Sequence, residues 1–182
     1  MTFVCNASEG VATALDAVDW TPGDEIIISQ DSYPACRHML TVLATRYQLK
    51  ISVAHTPFAG EVGLWKRHVI EAFQAQMTPR TRLILIDQIT SPTALCYPVH
   101  ELVQLAREHG LISLVDGAHG PGQLEINLHA LSPDFYVGNA HKWLMTPKSC
   151  ALFYVAPAWR ERTFPRVVSH GFLAPASQRF HA

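Results

Sequence analysis

Three things are scarce in this 182-residue sequence: long apolar runs, paired cysteines and net charge. The longest apolar stretches, "RLILID" and "LISLVD", fall far below the roughly 20 residues that cross a bilayer as a helix. The first residues show no basic segment leading into an apolar one. A cytoplasmic protein without a membrane partner is therefore the expectation. Formal net charge is −1, with Lys and Arg scattered along the chain, which argues against a surface that tracks a phosphate backbone. No nucleic-acid partner is expected. Cys5, Cys36, Cys96 and Cys150 form no CxxC pair, so neither a zinc knuckle nor a disulfide framework is indicated. Reduced, mostly buried cysteines are expected instead. Ten histidines make no HxH or HExxH pattern, so no metal site is expected.

What is present is a well-patterned apolar interior. Hydrophobic residues make up 48% and charged residues 16%, enough for one substantial core. β-rich runs alternate with helical ones. "TFVC" precedes the helical "SEGVATALDAV", for which Ser8 or Asn6 can serve as cap. "EIIIS" precedes "SYPACRHMLTVLATRY", with Ser32 as N-cap and Pro34 in the first turn. "LKISVAH" precedes "VGLWKRHVIEAFQAQM", where Val62, Trp65, Val69 and Phe73 recur at helical spacing. "RLILIDQI" precedes "PVHELVQLAREHG", which opens on Pro98 and stops at Gly110. "LISLVD", "FYVGNAH" and "CALFYVA" complete the strands. Continuous apolar strands separated by helices predict a three-layer α/β/α domain on a mostly parallel sheet. Residues 1–164 are expected to form this domain and 165–182 an irregular tail.

In such sheets ligands bind outside the carboxyl ends of the strands. "NASEG" there offers the free N–H groups of a helix start and a hydroxyl, which suit a phosphate dianion. Asp116, ending "LISLVD", suits a protonated heteroaromatic nitrogen. Lys142 follows the apolar run ending in "GNAH", where a charged, unpaired amine is costly and a neutral or covalently used one is not. Phosphate, ring nitrogen and aldehyde are the handles of pyridoxal 5'-phosphate. Each residue also has an ordinary reading. Lys142 can be a surface lysine, Asp116 an N-cap for the segment at Pro121, and Ser8 a simple cap. Tyr33 can be an aromatic anchor, and His119 and His141 ordinary hydrogen-bonded side chains.

"DGAHGPGQ", with Lys142 of "GNAHKWL" 26 residues after Asp116, resembles the class V aminotransferase family of fold-type I pyridoxal-phosphate enzymes. The likeness is to its isopenicillin N epimerase-like and cysteine desulfurase-like branch. "NASEG", "PGDEIIISQDSYPA" and "DQITSPTALCYPV" match that branch's phosphate loop, second strand and mid-domain strand, in order. The resemblance implies Lys142 as the Schiff-base residue and Asp116 as partner of the pyridine nitrogen. His119 then sits near the ring or its phenolic oxygen, His141 near the phosphate, and Tyr33 against the ring. Ala7 and Ser8 bind phosphate, and Ser91 or Thr93 lies near the phenolic oxygen. It further implies a homodimer and a small-molecule amino acid substrate. The chain is read as the large domain without the family's C-terminal small domain, which normally supplies the carboxylate-binding arginine.

The implied chemistry is attack at Cα or Cβ of an amino acid, as a C–S lyase or cysteine desulfurase. The alternatives are an amino acid epimerase, or a truncated domain that binds cofactor with little or no turnover. A flavodoxin-like phosphate or nucleotide binder is the remaining option.

Overall fold

The computed structural model describes residues 1–58 and 60–180. Residues 181 and 182, the end of the expected tail, lie outside the described residues. In chain order the elements are β1 (Thr2–Val4), α1 (Ala7–Asp16), β2 (Glu25–Ser29), α2 (Pro34–Tyr47), β3 (Lys50–Ala54) and α3 (Val62–Ala75). Then come β4 (Thr81–Asp87), α4 (Val99–Glu108), β5 (Ile112–Asp116), the short α5 (Leu128–Leu131), β6 (Phe135–Asn139) and β7 (Ala151–Val155). The tail holds a short 3-10 turn, His170–Leu173, and Phe180 packs edge-on against Phe153.

The strands form one seven-stranded sheet in the order β1-β7-β6-β5-β4-β2-β3. β2 to β6 run parallel, while β7 pairs antiparallel with both β6 and β1. Alternate residues of each central strand feed opposite faces, which explains the unbroken apolar runs. Leu83 and Leu85 of β4 pack with Val11 and Leu15 of α1 and Leu40 of α2. Ile84 and Ile86 pack with Trp65, Val69 and Phe73 of α3 and Leu102 of α4. The three layers expected from the sequence are the layers observed. α4 ends where the sequence suggests: Gly110 takes φ +65°, and the following N–H of Leu111 returns to the Ala106 carbonyl at 2.8 Å.

Strand order reverses between β2 and β4, since β3 lies on one side and β5 on the other. A crevice therefore opens at the carboxyl ends of these strands. α1 is pressed against the sheet beside it. A Cβ on Gly10 would sit 2.6 Å from a Val137 methyl, so only glycine permits this approach of helix to strand.

Three local expectations are corrected. Ser32 does not cap α2; Tyr33 holds the N-cap position without a side-chain bond, and Ser32 instead donates to Asp87 Oδ2 at 2.7 Å. A buried carboxylate one strand away outcompetes the helix amides for that hydroxyl. Val62 is 54% exposed while Trp65, Val69 and Phe73 are buried, because the first turn of α3 starts in solvent and its apolar face closes on the sheet at Trp65. Of the four free cysteines only Cys36 is buried, since Cys5 and Cys96 lie in exposed connections and Cys150 at a strand border.

Candidate active site

Eight of the nine residues given cofactor roles in the sequence line one cavity of about 330 Å³ at the carboxyl edge of the sheet. That size is within the range of small-molecule sites. One wall is the start of α1. Asn6 is its cap, accepting the Glu9 N–H at 2.9 Å, and Glu9 reaches back to the Cys5 N–H at 2.6 Å. The Ala7 N–H is tied to Asn139 Oδ1 at 2.8 Å, which joins α1 to the end of β6. Ser8 is therefore free of the capping role, and its N–H has no acceptor among the described residues. An unsatisfied first-turn amide, an adjacent hydroxyl and the positive end of the helix dipole face the same cavity.

The floor is acidic. Asp116 closes β5 and lies directly across the ladder from Asp87, which closes β4. Both are buried. Asp116 accepts the Ala118 N–H at 3.0 Å and the Cys36 thiol at 3.5 Å. Burial still pushes its carboxyl above the usual range, although these donors and the nearby Lys142 and His119 oppose the shift. Asp87 accepts from the Ser32 hydroxyl and from the Tyr33 N–H at 3.3 Å, and burial plus the Asp116 charge push it up to about 7. A lone carboxylate held this way is stabilised by a cationic N–H donor placed against it. Burial and both carboxylates hold the Cys36 proton firmly on sulfur, so it is a thiol donor and no nucleophile.

Opposite the acids lies the basic side. Lys142 Nζ is 2.9 Å from His119 Nε2, and the Trp143 indole N–H donates to His119 Nδ1 at 3.1 Å. Burial lowers the Lys142 pKa against the pull of Asp116, and burial followed by the Lys142 charge lowers that of His119. His141 is anchored through Nδ1 to the Cys150 carbonyl at 2.8 Å. Tyr33, 39% exposed, borders the cavity at the start of α2, and Ser91 borders it past β4. Thr93 takes no part in the wall, because its hydroxyl is bonded to that of Thr90 at 2.6 Å within the turn.

Asp87, Asn139, Cys36 and Trp143 were not singled out for roles in the sequence. Two of them had a usable signal: Asp87 and Asn139 are the last residues of strands β4 and β6, the positions that border such a crevice.

A family model described as Aminotransferase class-V matches residues 1–173. This chain belongs to that family. Class-V aminotransferases are pyridoxal-phosphate-dependent. The class-V chain is 36% identical over 154 residues to isopenicillin N epimerase of Streptomyces clavuligerus, covering 85% of this chain and 38% of that protein. It is 28% identical over 156 residues to hercynylcysteine sulfoxide lyase of Schizosaccharomyces pombe, covering 86% and 39%. Among solved structures, a lysine-to-alanine mutant of C-DES with glycine covalently linked to its pyridoxal-phosphate cofactor superposes with a TM-score of 0.79. That match has 21% identity and covers 100% of this chain and 50% of the other, and it establishes the shared fold. The class-V chain thus spans less than half the length of the two curated relatives.

Proposed function

We propose that this chain carries the cofactor site of a pyridoxal-phosphate enzyme acting at Cα or Cβ of an amino acid, with C–S lyase or cysteine desulfurase chemistry as the main reading. One observation carries it: a primary amine with lowered pKa, a buried unpaired carboxylate and a free helix N-terminus converge on a single cavity. The residues fit the group. Ala7 and Ser8 at the start of α1, with His141 beside them, would hold the phosphate; Asp116 would face the ring nitrogen and keep it protonated. Tyr33 would lie against the ring, and His119 and Ser91 near its phenolic oxygen. Lys142 would hold the aldehyde carbon as a Schiff base and, once released, take the Cα proton. The bound cofactor supplies an electron sink for the negative charge that develops at Cα.

Sulfur chemistry is favoured by the names of similar proteins, a hercynylcysteine sulfoxide lyase and an L-cysteine desulfhydrase-like protein of Epichloe uncinata at 33% identity. Epimerisation is the second reading, supported by the 36% identity to isopenicillin N epimerase. The proposal includes a domain over residues 1–164 with a tail over 165–182, and a homodimer. It also includes a cytoplasmic location, which four free cysteines suit. No described helix is long and apolar enough to cross a membrane.

The test is the visible spectrum of the protein with added pyridoxal phosphate, then borohydride reduction and peptide mapping. A pyridoxyl adduct on Lys142, lost in Lys142→Ala, is the expected result. Absence of the adduct in folded protein overturns the reading. Sulfide release from L-cysteine, measured beside loss of optical activity, then separates lyase from epimerase and either from a domain with no turnover.

A further inference from the structure

His119 is held between two neighbours whose hydrogen-bonding abilities are not interchangeable. The Trp143 indole nitrogen can only donate, and it lies 3.1 Å from His119 Nδ1. Nδ1 must therefore be an acceptor and carry no proton. A neutral imidazole in that state has its proton on Nε2, which lies 2.9 Å from Lys142 Nζ. Nε2–H needs an acceptor there, and only an uncharged amine has a lone pair to offer. The alternatives fail on the same count. An ammonium donating to Nε2 while the indole donates to Nδ1 requires an imidazolate. An imidazolium sets two N–H groups against each other at Nδ1.

We propose that Trp143 is a positioning residue that selects the Nε2–H tautomer of His119 and through it holds Lys142 as a neutral amine before any carbonyl ligand arrives. The surrounding charges make such a device necessary. Asp116 at the end of β5 favours the ammonium form, with the second carboxylate, Asp87, in register behind it on β4. His141 on the same segment is turned to the Cys150 carbonyl, and the Tyr33 ring borders the cavity from the α2 side. Burial of the amine acts in the same direction as the His119 contact. Trp143 itself is 48% exposed, so its indole is placed by this contact rather than by burial in the core.

The inference rests on Lys142 being the carbonyl-capturing residue of the proposed function, and it is tested without the cofactor. Ring ¹⁵N resonances of His119 in the ligand-free protein are expected to show Nδ1 unprotonated and Nε2 protonated. Reductive methylation of Lys142 with formaldehyde, followed by peptide mapping across pH, reports the fraction of free amine. Trp143→Phe keeps the ring and removes the N–H. It is expected to give mixed His119 tautomers and to move the pH midpoint of Lys142 labelling upward by about one unit, a roughly tenfold gain in the proton affinity of the amine. In a His119→Asn background the Trp143→Phe change is expected to have no further effect, which a purely structural role of the indole would not produce. An Nδ1–H tautomer or an imidazolium in the unmodified protein overturns the proposal, as does an unchanged labelling profile in Trp143→Phe. Failure to bind pyridoxal phosphate with the tautomer as expected would count against the cofactor reading alone.

Discussion

The acids on the cavity floor set the pH behaviour of individual residues. Asp87 is pushed up to about 7 from an ordinary value of 3.8. The native state thus keeps a proton that the unfolded chain has already released, and the corresponding stability is present in full below about 3.8 and lost as pH rises through about 7. Asp87→Asn removes the titration; its one amide oxygen can accept the Tyr33 N–H while its NH2 donates to the Ser32 hydroxyl. Its urea midpoint is expected to gain on the parent protein's as pH rises from about 5 to about 7.5; parallel midpoints across that range would contradict the assignment. Asn139 acts through one bond. Asn139→Ala leaves the Ala7 N–H without its buried acceptor and is expected to lower stability by about 1–3 kcal/mol in the same assay.

At the scale of elements, α1 is positioned by its cap and by the absence of a side chain at Gly10. Asn6→Ala removes the acceptor for the Glu9 N–H, with an expected loss of about 1 kcal/mol. Gly10→Ala forces a methyl against Val137 and is expected to destabilise by about 1–3 kcal/mol. Because the helix must lift from β6 to relieve that contact, its N-terminus leaves the cavity wall. Pyridoxal-phosphate affinity, measured by fluorescence titration, is therefore expected to fall more for Gly10→Ala than for a costlier core substitution on the far face. Phe73→Ala in α3 is the comparison. It is expected to lose about 3–5 kcal/mol while leaving cofactor affinity intact at temperatures where the protein stays folded.

For the whole molecule, the layers were legible in the sequence because two periodicities carry them. Unbroken apolar runs such as "LILI" mark strands covered on both faces, and Trp65, Val69 and Phe73 mark a helix with one buried stripe. The strand-end rule likewise pointed to Asp116 and Lys142, since the type of a residue and its place after an apolar run are one-dimensional facts. Other features depend on which strands become neighbours. β4 and β5 pair in a register that sets Asp87 opposite Asp116, and nothing local to "LILIDQ" marks that aspartate as half of a buried acid pair. Ser32 looks like a helix cap until Asp87 arrives from 55 residues away as a stronger acceptor. The Trp143 indole likewise reads as part of "HKWL" and acquires meaning only when the turn after β5 brings His119 beneath it. Composition, layer count and the chemical types at the strand ends were thus determined by the sequence itself, because burial patterns and turn residues are local. Which polar groups share a proton or a hydrogen bond was decided by tertiary structure, because such bonds act over about 3 Å and join partners far apart in the chain.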